Sequence, residues 1–374
     1  MIIKMKLKLK PWINSLPGYV AGRTIEEIKK EFKLNEVHKM ASNENILGPC
    51  SQVRKYIKEN LDDINYYPDS DAAAVREAIA SKCGIEAGNI IMGNGTDQII
   101  EMICDCFIME GDNIVNADPN FIIYEKAALK CGGQAVKVAL KKEDFSQDGQ
   151  KIVKAVNDRT RIVFLASPHN PTGTIICEKD LVFILQNIPD DVLIVIDEAY
   201  YEYLEDSFRP DTIKYIKEYP NLVSLRTFSK IYGLAGLRIG YGIADKNIID
   251  ALNKIRLPFN TSLIAQKAAA TAIENDWYIE RIRDSINEEK DKFYRFLDSA
   301  KIEYIKSYAN FILIKTGSKS AGIVKGLLES GFIVRPGANL GFNEYIRVTV
   351  SVPDVNEKFI KKFSEIYNYF YGKK

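Results

Sequence analysis

Residues 226–238 read Arg226-Thr-Phe-Ser-Lys230-Ile-Tyr-Gly-Leu-Ala-Gly-Leu-Arg238 and directly follow an apolar run at 222–225. The stretch places a lysine amine before two glycines and a guanidinium. A lysine that bonds an aldehyde must lose its proton near neutral pH, and a partly desolvated site with a nearby cation favours that loss. Arg238 can supply this cation and can also bind a phosphate. Taken alone, the motif is equally compatible with a solvated surface lysine, so the rest of the chain has to decide.

Short apolar runs alternate with longer amphipathic segments over the first two thirds of the chain. The runs cover residues 89–92, 113–116, 161–166, 192–196 and 222–225. Runs that are apolar on both faces are typical of buried strands in a mostly parallel sheet covered by helices. We therefore predict an α/β fold with a mostly parallel central sheet and helices on both faces. The 374 residues, of which 46% are hydrophobic, are enough for this large domain and a smaller α+β domain.

The amino-acid composition limits the kinds of molecule that the protein is expected to bind. Lys and Arg number 51 and Asp and Glu 50, so the chain has no global charge that would attract nucleic acid or an anionic membrane. The six cysteines have no paired C-x-x-C spacing and no secretory segment precedes them, which favours reduced thiols in the cytoplasm. With two histidines, we predict no metal site. The predicted partner is a small molecule.

Each predicted strand is followed at once by polar or special residues. The five clusters are Gly93-Asn-Gly-Thr-Asp97, Asp118-Pro-Asn-Phe121, Ser167-Pro-His-Asn-Pro-Thr-Gly173, Asp197-Glu-Ala-Tyr200 and Thr227-Phe-Ser-Lys230. Any one of them is also compatible with an ordinary turn. Ligands of open parallel sheets bind beyond the carboxyl ends of the strands. Five clusters on one rim therefore predict a single ligand site.

The clusters supply what a phosphorylated pyridine aldehyde needs. Gly95 lets the backbone approach closely, and Thr96 is predicted to cap the next helix, so that free amide groups face a phosphate. Asp197 would be a costly unpaired charge at the end of a buried strand, and a protonated ring nitrogen is a suitable partner. Asn170 and Tyr200 can hydrogen-bond the oxygen of such a ring. Phe121 offers a flat face for stacking.

These motifs resemble those of fold-type I, pyridoxal-phosphate-dependent aminotransferases of the aspartate aminotransferase superfamily. The resemblance runs from about Pro17 to Ser351 and keeps the motifs in order along the chain. Four further stretches most resemble the histidinol-phosphate aminotransferase subgroup: Pro17-Gly-Tyr-Val-Ala-Gly22, Ala41-Ser-Asn-Glu-Asn45, Tyr67-Pro-Asp69 and Asn310-Phe-Ile-Leu313. The resemblance implies three parts: an N-terminal arm with part of the small domain (1–44), a large cofactor-binding domain (45–270) and a small C-terminal domain (271–374).

The resemblance also implies roles for individual residues. Lys230, Asp197 and Tyr200 would be catalytic. Contacts to pyridoxal phosphate would come from Gly95, Thr96, Asp97, Phe121, Asn170, Asp197, Tyr200, Thr227, Ser229, Lys230 and Arg238, and from Tyr67 of the neighbouring subunit of a homodimer with shared sites. Substrate would be bound by Tyr19, Asn170, Arg335 and Arg347. The chain departs from the pattern at Asn120, His169 and Ser351, where Thr, Asn and Gly are the common residues.

The implied reaction is ping-pong transamination of histidinol phosphate with 2-oxoglutarate in histidine biosynthesis. An aromatic or broad-specificity aminotransferase remains an alternative, because the position of Arg347 can serve an α-carboxylate in relatives. A pyridoxal-phosphate-dependent decarboxylase of amino-acid phosphates shares the fold, and release of carbon dioxide would identify it. A non-enzymatic regulator on the same fold would need a DNA-binding appendage, and the residues before Ala41 show no suitable basic helix pattern.

Overall fold

The computed structural model of the chain describes residues 8–16 and 22–372. Its larger sheet has seven strands in the order β2-β8-β7-β6-β5-β3-β4, and its smaller sheet has five in the order β1-β11-β12-β10-β9. The strands are β1 (His38–Met40), β2 (Ile90–Gly93), β3 (Asn113–Asp118), β4 (Gln134–Ala139), β5 (Thr160–Ala166), β6 (Leu193–Asp197), β7 (Leu222–Thr227), β8 (Gly240–Ala244), β9 (Tyr304–Ile305), β10 (Phe311–Lys315), β11 (Phe332–Pro336) and β12 (Tyr345–Thr349).

Helices cover both sheets and connect their strands. They are α1 (Ile25–Phe32), α2 (Ser51–Glu59), α3 (Ala73–Cys83), α4 (Gly95–Phe107), α5 (Ile122–Lys130), α6 (Gly149–Ala155), α7 (Glu178–Asn187), α8 (Thr212–Glu218), α9 (Lys246–Ile255), α10 (Leu263–Ile273), α11 (Asp276–Ala300), α12 (Ser320–Glu329) and α13 (Pro353–Tyr371). Short 3₁₀ turns lie between several of them. None of the helices in the described ranges is long and apolar enough to cross a membrane.

The larger sheet is mostly parallel, as predicted. Strand β8 runs antiparallel to both of its neighbours, β2 and β7, and the other pairs are parallel. The two faces bury different cores: Ile194 and Ile196 of β6 belong to one apolar cluster, whereas Leu193 and Val195 belong to another. Because side chains alternate along a strand, this split means that both faces are covered by helices. The predicted α/β fold class is confirmed.

All five strands predicted from apolar runs form, and their ends differ from prediction by no more than two residues. Each therefore delivers the polar residues that follow it to the carboxyl rim of the sheet. This is the feature of the fold that builds the site described below.

The smaller sheet packs around its own apolar cluster, in which Phe293, Phe359 and Phe363 are fully buried. Strands β10, β11 and β12 are antiparallel, and β1 joins the edge by pairing parallel to β11. The segment before the larger sheet thus shares a sheet with the last third of the chain. The division at residues 44 and 270 stays a prediction.

Candidate active site

A cavity of about 150 Å³ lies at the carboxyl ends of β5, β6 and β7. Ten of the predicted site residues line it: Thr96, Asp97, Phe121, Asn170, Asp197, Tyr200, Thr227, Ser229, Lys230 and Arg238. A larger cleft of about 1120 Å³ opens elsewhere, but none of the described residues lining it belongs to the predicted site. The chemistry therefore places the candidate site in the smaller cavity.

Lys230 lies just past the end of β7 and is half-buried. Its Nζ donates a hydrogen bond to the backbone oxygen of Ser42 at 3.1 Å. The same nitrogen lies 5.7 Å from the centre of the Tyr200 ring. The amine is thus held at the cavity by a neutral carbonyl and an aromatic face, with no carboxylate within ion-pair distance in the described chain.

Asp197 ends β6 and is 6% exposed. Its Oδ2 accepts a hydrogen bond from the Tyr124 hydroxyl at 2.7 Å and its Oδ1 accepts one from the backbone N–H of Ala199 at 3.1 Å. Burial raises the pKa of Asp197 to about 6, although both hydrogen bonds act to lower it. A buried carboxylate without a cationic partner is suited to a protonated ring nitrogen.

Tyr124 is a site residue that sequence reasoning missed. It is buried in α5, where its ring stacks on Phe164 at 4.7 Å and meets Phe121 edge-on at 5.6 Å. Its position one helical turn after Phe121 was the available signal, since residues three apart share a helix face. The hydroxyl fixes the Asp197 carboxylate, and the ring supports Phe121 at the cavity wall.

A cluster of donors at one end of the cavity can hold a phosphate. Arg238 donates from Nη1 to Ser229 Oγ at 3.4 Å and from Nη2 to Asp97 Oδ2 at 3.3 Å. Thr227 Oγ1 accepts from the Ser229 amide at 3.1 Å. The first turn of α4 lies beside this cluster, and its amide groups have no partner within the helix.

The start of α4 differs from prediction. The helix begins at Gly95 with Asn94 as the flanking residue, so Thr96 lies inside the first turn and does not cap the helix. The predicted cap was wrong because the helix begins two residues earlier than a cap at Thr96 requires, at Gly95, where a positive φ of 72° turns the chain. Gly95 also leaves room for Arg238: a Cβ at this position would lie 2.5 Å from its Nη2.

Arg347 is a buried cation beside the cavity. It is 6% exposed, and burial lowers its pKa to about 10. Its Nη1 donates to Asn170 Oδ1 at 2.5 Å, its Nη2 donates to the backbone oxygen of Ala41 at 2.7 Å, and its Nε has no partner. No carboxylate of the described residues pairs with it, so the guanidinium retains its full charge for a ligand.

Arg335 stands directly opposite Arg347 in the antiparallel pair of β11 and β12. Opposed residues project from the same face of a sheet, which puts two positive charges close together. The proximity of Arg335 also acts to lower the pKa of Arg347. Neither arginine lines the small cavity itself, but Arg347 contacts Asn170, which does.

His169 holds the loop that carries Asn170. The imidazole is fully buried, its Nδ1 lies 2.8 Å from Thr172 Oγ1, and burial lowers its pKa to about 3. The ring is therefore neutral at physiological pH. Its backbone N–H donates to the Thr174 oxygen at 2.7 Å, which closes a tight turn around Asn170.

One predicted residue, Tyr67, is not brought to the cavity. Tyr67 is 81% exposed and stacks on Phe259 at 4.6 Å, away from the cavity wall. Tyr19 lies outside the described residues. Ten of the other predicted residues line the cavity, Gly95 and Arg347 contact residues that line it, and Arg335 lies opposite Arg347 in the smaller sheet.

The fold and the site together define an aminotransferase. Residues 35–363 match the aminotransferase class I and II family, and the chain belongs to that family. The predicted class of enzyme, a pyridoxal-phosphate-dependent aminotransferase, is confirmed.

Among its relatives, the chain is 40% identical to histidinol-phosphate aminotransferase of Caldicellulosiruptor saccharolyticus, over 95% of this chain and 98% of the relative. It is 41% identical to the enzyme of the same name from Moorella thermoacetica, over 96% and 93% of the two chains. The resemblance to this subgroup, predicted from four short stretches, is confirmed.

Solved structures show the same architecture. Histidinol-phosphate aminotransferase from Sinorhizobium meliloti, in complex with pyridoxal-5'-phosphate, has a TM-score of 0.89 and 26% identity, over 98% of this chain and 99% of that one. Aspartate aminotransferase of Thermus thermophilus with maleate has a TM-score of 0.81 at 19% identity, over 96% and 100% of the chains. At that identity the second likeness concerns the fold alone.

Proposed function

We propose that the chain transfers the amino group of histidinol phosphate to 2-oxoglutarate in histidine biosynthesis. The observation that carries the proposal is that Arg347 is buried without a carboxylate partner among the described residues and has Arg335 opposite it. A phosphate monoester carries close to two negative charges at pH 7 and can pair with two guanidinium groups. The names of relatives that are about 40% identical over nearly the whole chain support the same substrate.

The cavity residues fit pyridoxal phosphate. Ser229, Thr227, Arg238 and the first turn of α4 would hold its phosphate, and Phe121 would cover one face of its ring. Asp197, whose burial leaves it without a cation, would pair with the ring nitrogen. Asn170, whose Oδ1 is taken by Arg347, has its Nδ2 left to donate to the ring oxygen together with Tyr200.

When bound, pyridoxal phosphate supplies an aldehyde that carries the amino group and a ring that accepts electrons. Lys230 Nζ would hold the aldehyde, and as a free amine it would be the base that accepts the proton from the substrate carbon. Asp197, which is buried, would keep the ring nitrogen protonated. Arg347 and Arg335 fix the far end of the substrate, which orients its amine toward Lys230.

We further propose that the enzyme is a homodimer in which Tyr67 of each subunit contributes to the active site of the other. Exposed apolar side chains concentrate in residues 46–67 and 257–259, and the stacking of Tyr67 on Phe259 joins the two stretches. An apolar surface of this kind favours burial against a partner. The cytoplasm is the proposed compartment, supported by six cysteines that are all free.

The test compares histidinol phosphate with histidinol, which has the same amine and lacks the phosphate. We expect kcat/KM to be at least about 10²-fold higher for the phosphate ester, since hydrogen bonds to charged groups contribute about 1.5–3 kcal/mol each. Arg347→Gln and Arg335→Gln should each shrink this ratio by about tenfold or more. Arg159→Gln, at an exposed loop position, is the control and should leave it unchanged.

Equal kcat/KM for histidinol and histidinol phosphate would contradict the proposed substrate. A higher kcat/KM for phenylalanine would instead favour an aromatic aminotransferase in which Arg347 binds an α-carboxylate. Either result would leave the class of enzyme intact.

A further inference from the structure

Residues 41–43 form a segment that touches three functional side chains in succession. The Ala41 oxygen accepts from Arg347 Nη2 at 2.7 Å, the Ser42 oxygen accepts from Lys230 Nζ at 3.1 Å, and Asn43 Nδ2 donates to Tyr200 Oη at 2.8 Å. None of these three residues was predicted to belong to the site. Consecutive residues that reach a substrate arginine, the catalytic lysine and the catalytic phenol are placed to align all three.

Asn43 is the anchor of this segment. It is 1% exposed and has a φ of 59°, in the left-handed region that Asn tolerates better than most residues. Its backbone N–H donates to Thr349 Oγ1 at 3.0 Å, and its backbone oxygen accepts from Asn310 Nδ2 at 3.0 Å. The residue is thus tied to β12 and to the residue preceding β10, both in the smaller sheet region, while its side chain faces Tyr200.

The hydrogen bonds fix which way the Asn43 amide faces. Because Thr349 Oγ1 accepts from the Asn43 backbone, its own hydrogen is free to donate to Asn43 Oδ1 at 3.0 Å. The other end of the amide, Nδ2, must then face Tyr200 Oη as a donor. The flipped amide would leave the threonine hydrogen without an acceptor.

This orientation determines the direction of the Tyr200 hydrogen. A phenol oxygen that already accepts from an amide cannot donate back to it, so its single hydrogen is left for the cavity that Tyr200 lines. We infer that Asn43 is a positioning residue that makes Tyr200 a hydrogen-bond donor to the anionic ring oxygen of the cofactor. The inference rests on the proposed role of Tyr200.

The experiment uses the visible absorbance of the cofactor-bound protein as a function of pH. A donor to the ring oxygen stabilises its ionised form, so loss of the donor raises the pH of the spectral transition. Tyr200→Phe should raise it by about one unit, the equivalent of one charge-assisted hydrogen bond. Asn43→Asp keeps the size of the side chain and its tolerance of the left-handed region, but it offers the phenol an acceptor. It should raise the transition by a similar amount.

Three further variants separate positioning from general damage. In Tyr200→Phe protein, the added Asn43→Asp change should produce little further shift, because the two act through one hydrogen bond. Thr349→Val removes the hydroxyl that holds the Asn43 amide and leaves Tyr200 unchanged, so it should raise the transition pH by a smaller amount. Thr349→Ser keeps the hydroxyl and should leave the transition pH at its wild-type value. The thermal midpoint of each cofactor-free variant reports any loss of folding separately.

The outcomes distinguish the inference from the proposed function. A Tyr200→Phe protein with an unshifted transition would refute the role of Tyr200, and with it the inference. A shift in Tyr200→Phe without one in Asn43→Asp would refute the inference alone. Equal shifts from Asn43→Asp in the presence and absence of the Tyr200 hydroxyl would also refute it.

Discussion

At the scale of single residues, the site is built from charges that the fold leaves without an opposite charge. Asp197 and Arg347 are each 6% exposed, and neither forms an ion pair within the described chain. Burying such groups is unfavourable, which their shifted pKa values reflect. A ligand that brings the missing opposite charges therefore stabilises the folded protein when it binds.

Lys230 gives the most direct test at this scale. Lys230→Ala removes the proposed anchor and base, and we expect turnover to fall by more than about 10⁴-fold while the cofactor still binds through its phosphate. Steady-state rates and cofactor retention after gel filtration measure the two effects. Lys254→Ala, at an exposed position of α9, is the matched control. Substantial turnover by the Lys230 variant would remove this residue from the mechanism.

The buried carboxyl of Glu202 should make the free energy of unfolding depend on pH. Burial, the largest cause, raises its pKa from an ordinary 4.5 to about 7, with Arg226 acting to lower it. A carboxyl whose pKa is raised on folding favours the folded state below pH 4.5, and that contribution is lost as pH rises through 7. Glu202→Gln should therefore stabilise the cofactor-free protein above pH 7, by on the order of 3 kcal/mol, and little at pH 4.5.

Thermal unfolding of the Glu202→Gln protein between pH 4.5 and 8.5 is the measurement. Its gain in midpoint over the wild type should grow with pH and level off above 7. Glu205→Gln, an exposed neighbour, should show no such trend. A gain independent of pH would mean that Glu202 is not the titrating group.

At the scale of elements, the start of α4 is where we propose that the phosphate of the cofactor binds. Gly95→Ala would force a Cβ into the left-handed region and against the Arg238 guanidinium, at about 1–2 kcal/mol for the backbone alone. We expect cofactor affinity to fall by about tenfold or more, as measured by equilibrium titration. Gly88→Ala is the control, because a Cβ there meets nothing within 4 Å. Unchanged affinity in Gly95→Ala would show that the phosphate binds elsewhere.

Strands whose own residues form a continuous apolar run could be predicted from the sequence. The strands β2, β3, β5, β6 and β7 are continuous apolar runs, and the residues that follow them form the cavity. Strand β8 begins Gly240-Tyr-Gly242 and strand β4 exposes Gln134 and Lys137, so neither shows the apolar run of a buried strand. Local pattern cannot reveal the contact of Tyr124 with Asp197, which joins residues 73 positions apart.

At the scale of the whole molecule, the apolar surface around Tyr67 predicts a dimer. Ile64 is 67% exposed within this surface, and Ile64→Asp would place a charge in the proposed interface. We expect the wild type to sediment at about twice the chain mass of 42.3 kDa and this variant to dissociate and lose activity. Met109→Asp, 69% exposed outside the surface, is the control. A wild type that sediments as a monomer would contradict the proposal.

The bonds that join Ala41 to Arg347 and Asn43 to Thr349 each span 306 residues. These bonds can therefore form only after synthesis has passed residues 347 and 349. The larger sheet, complete by residue 244, can form much earlier in synthesis. A nascent chain stalled before Arg347 would contain all strands of the larger sheet but would lack the arginine that we propose binds the substrate.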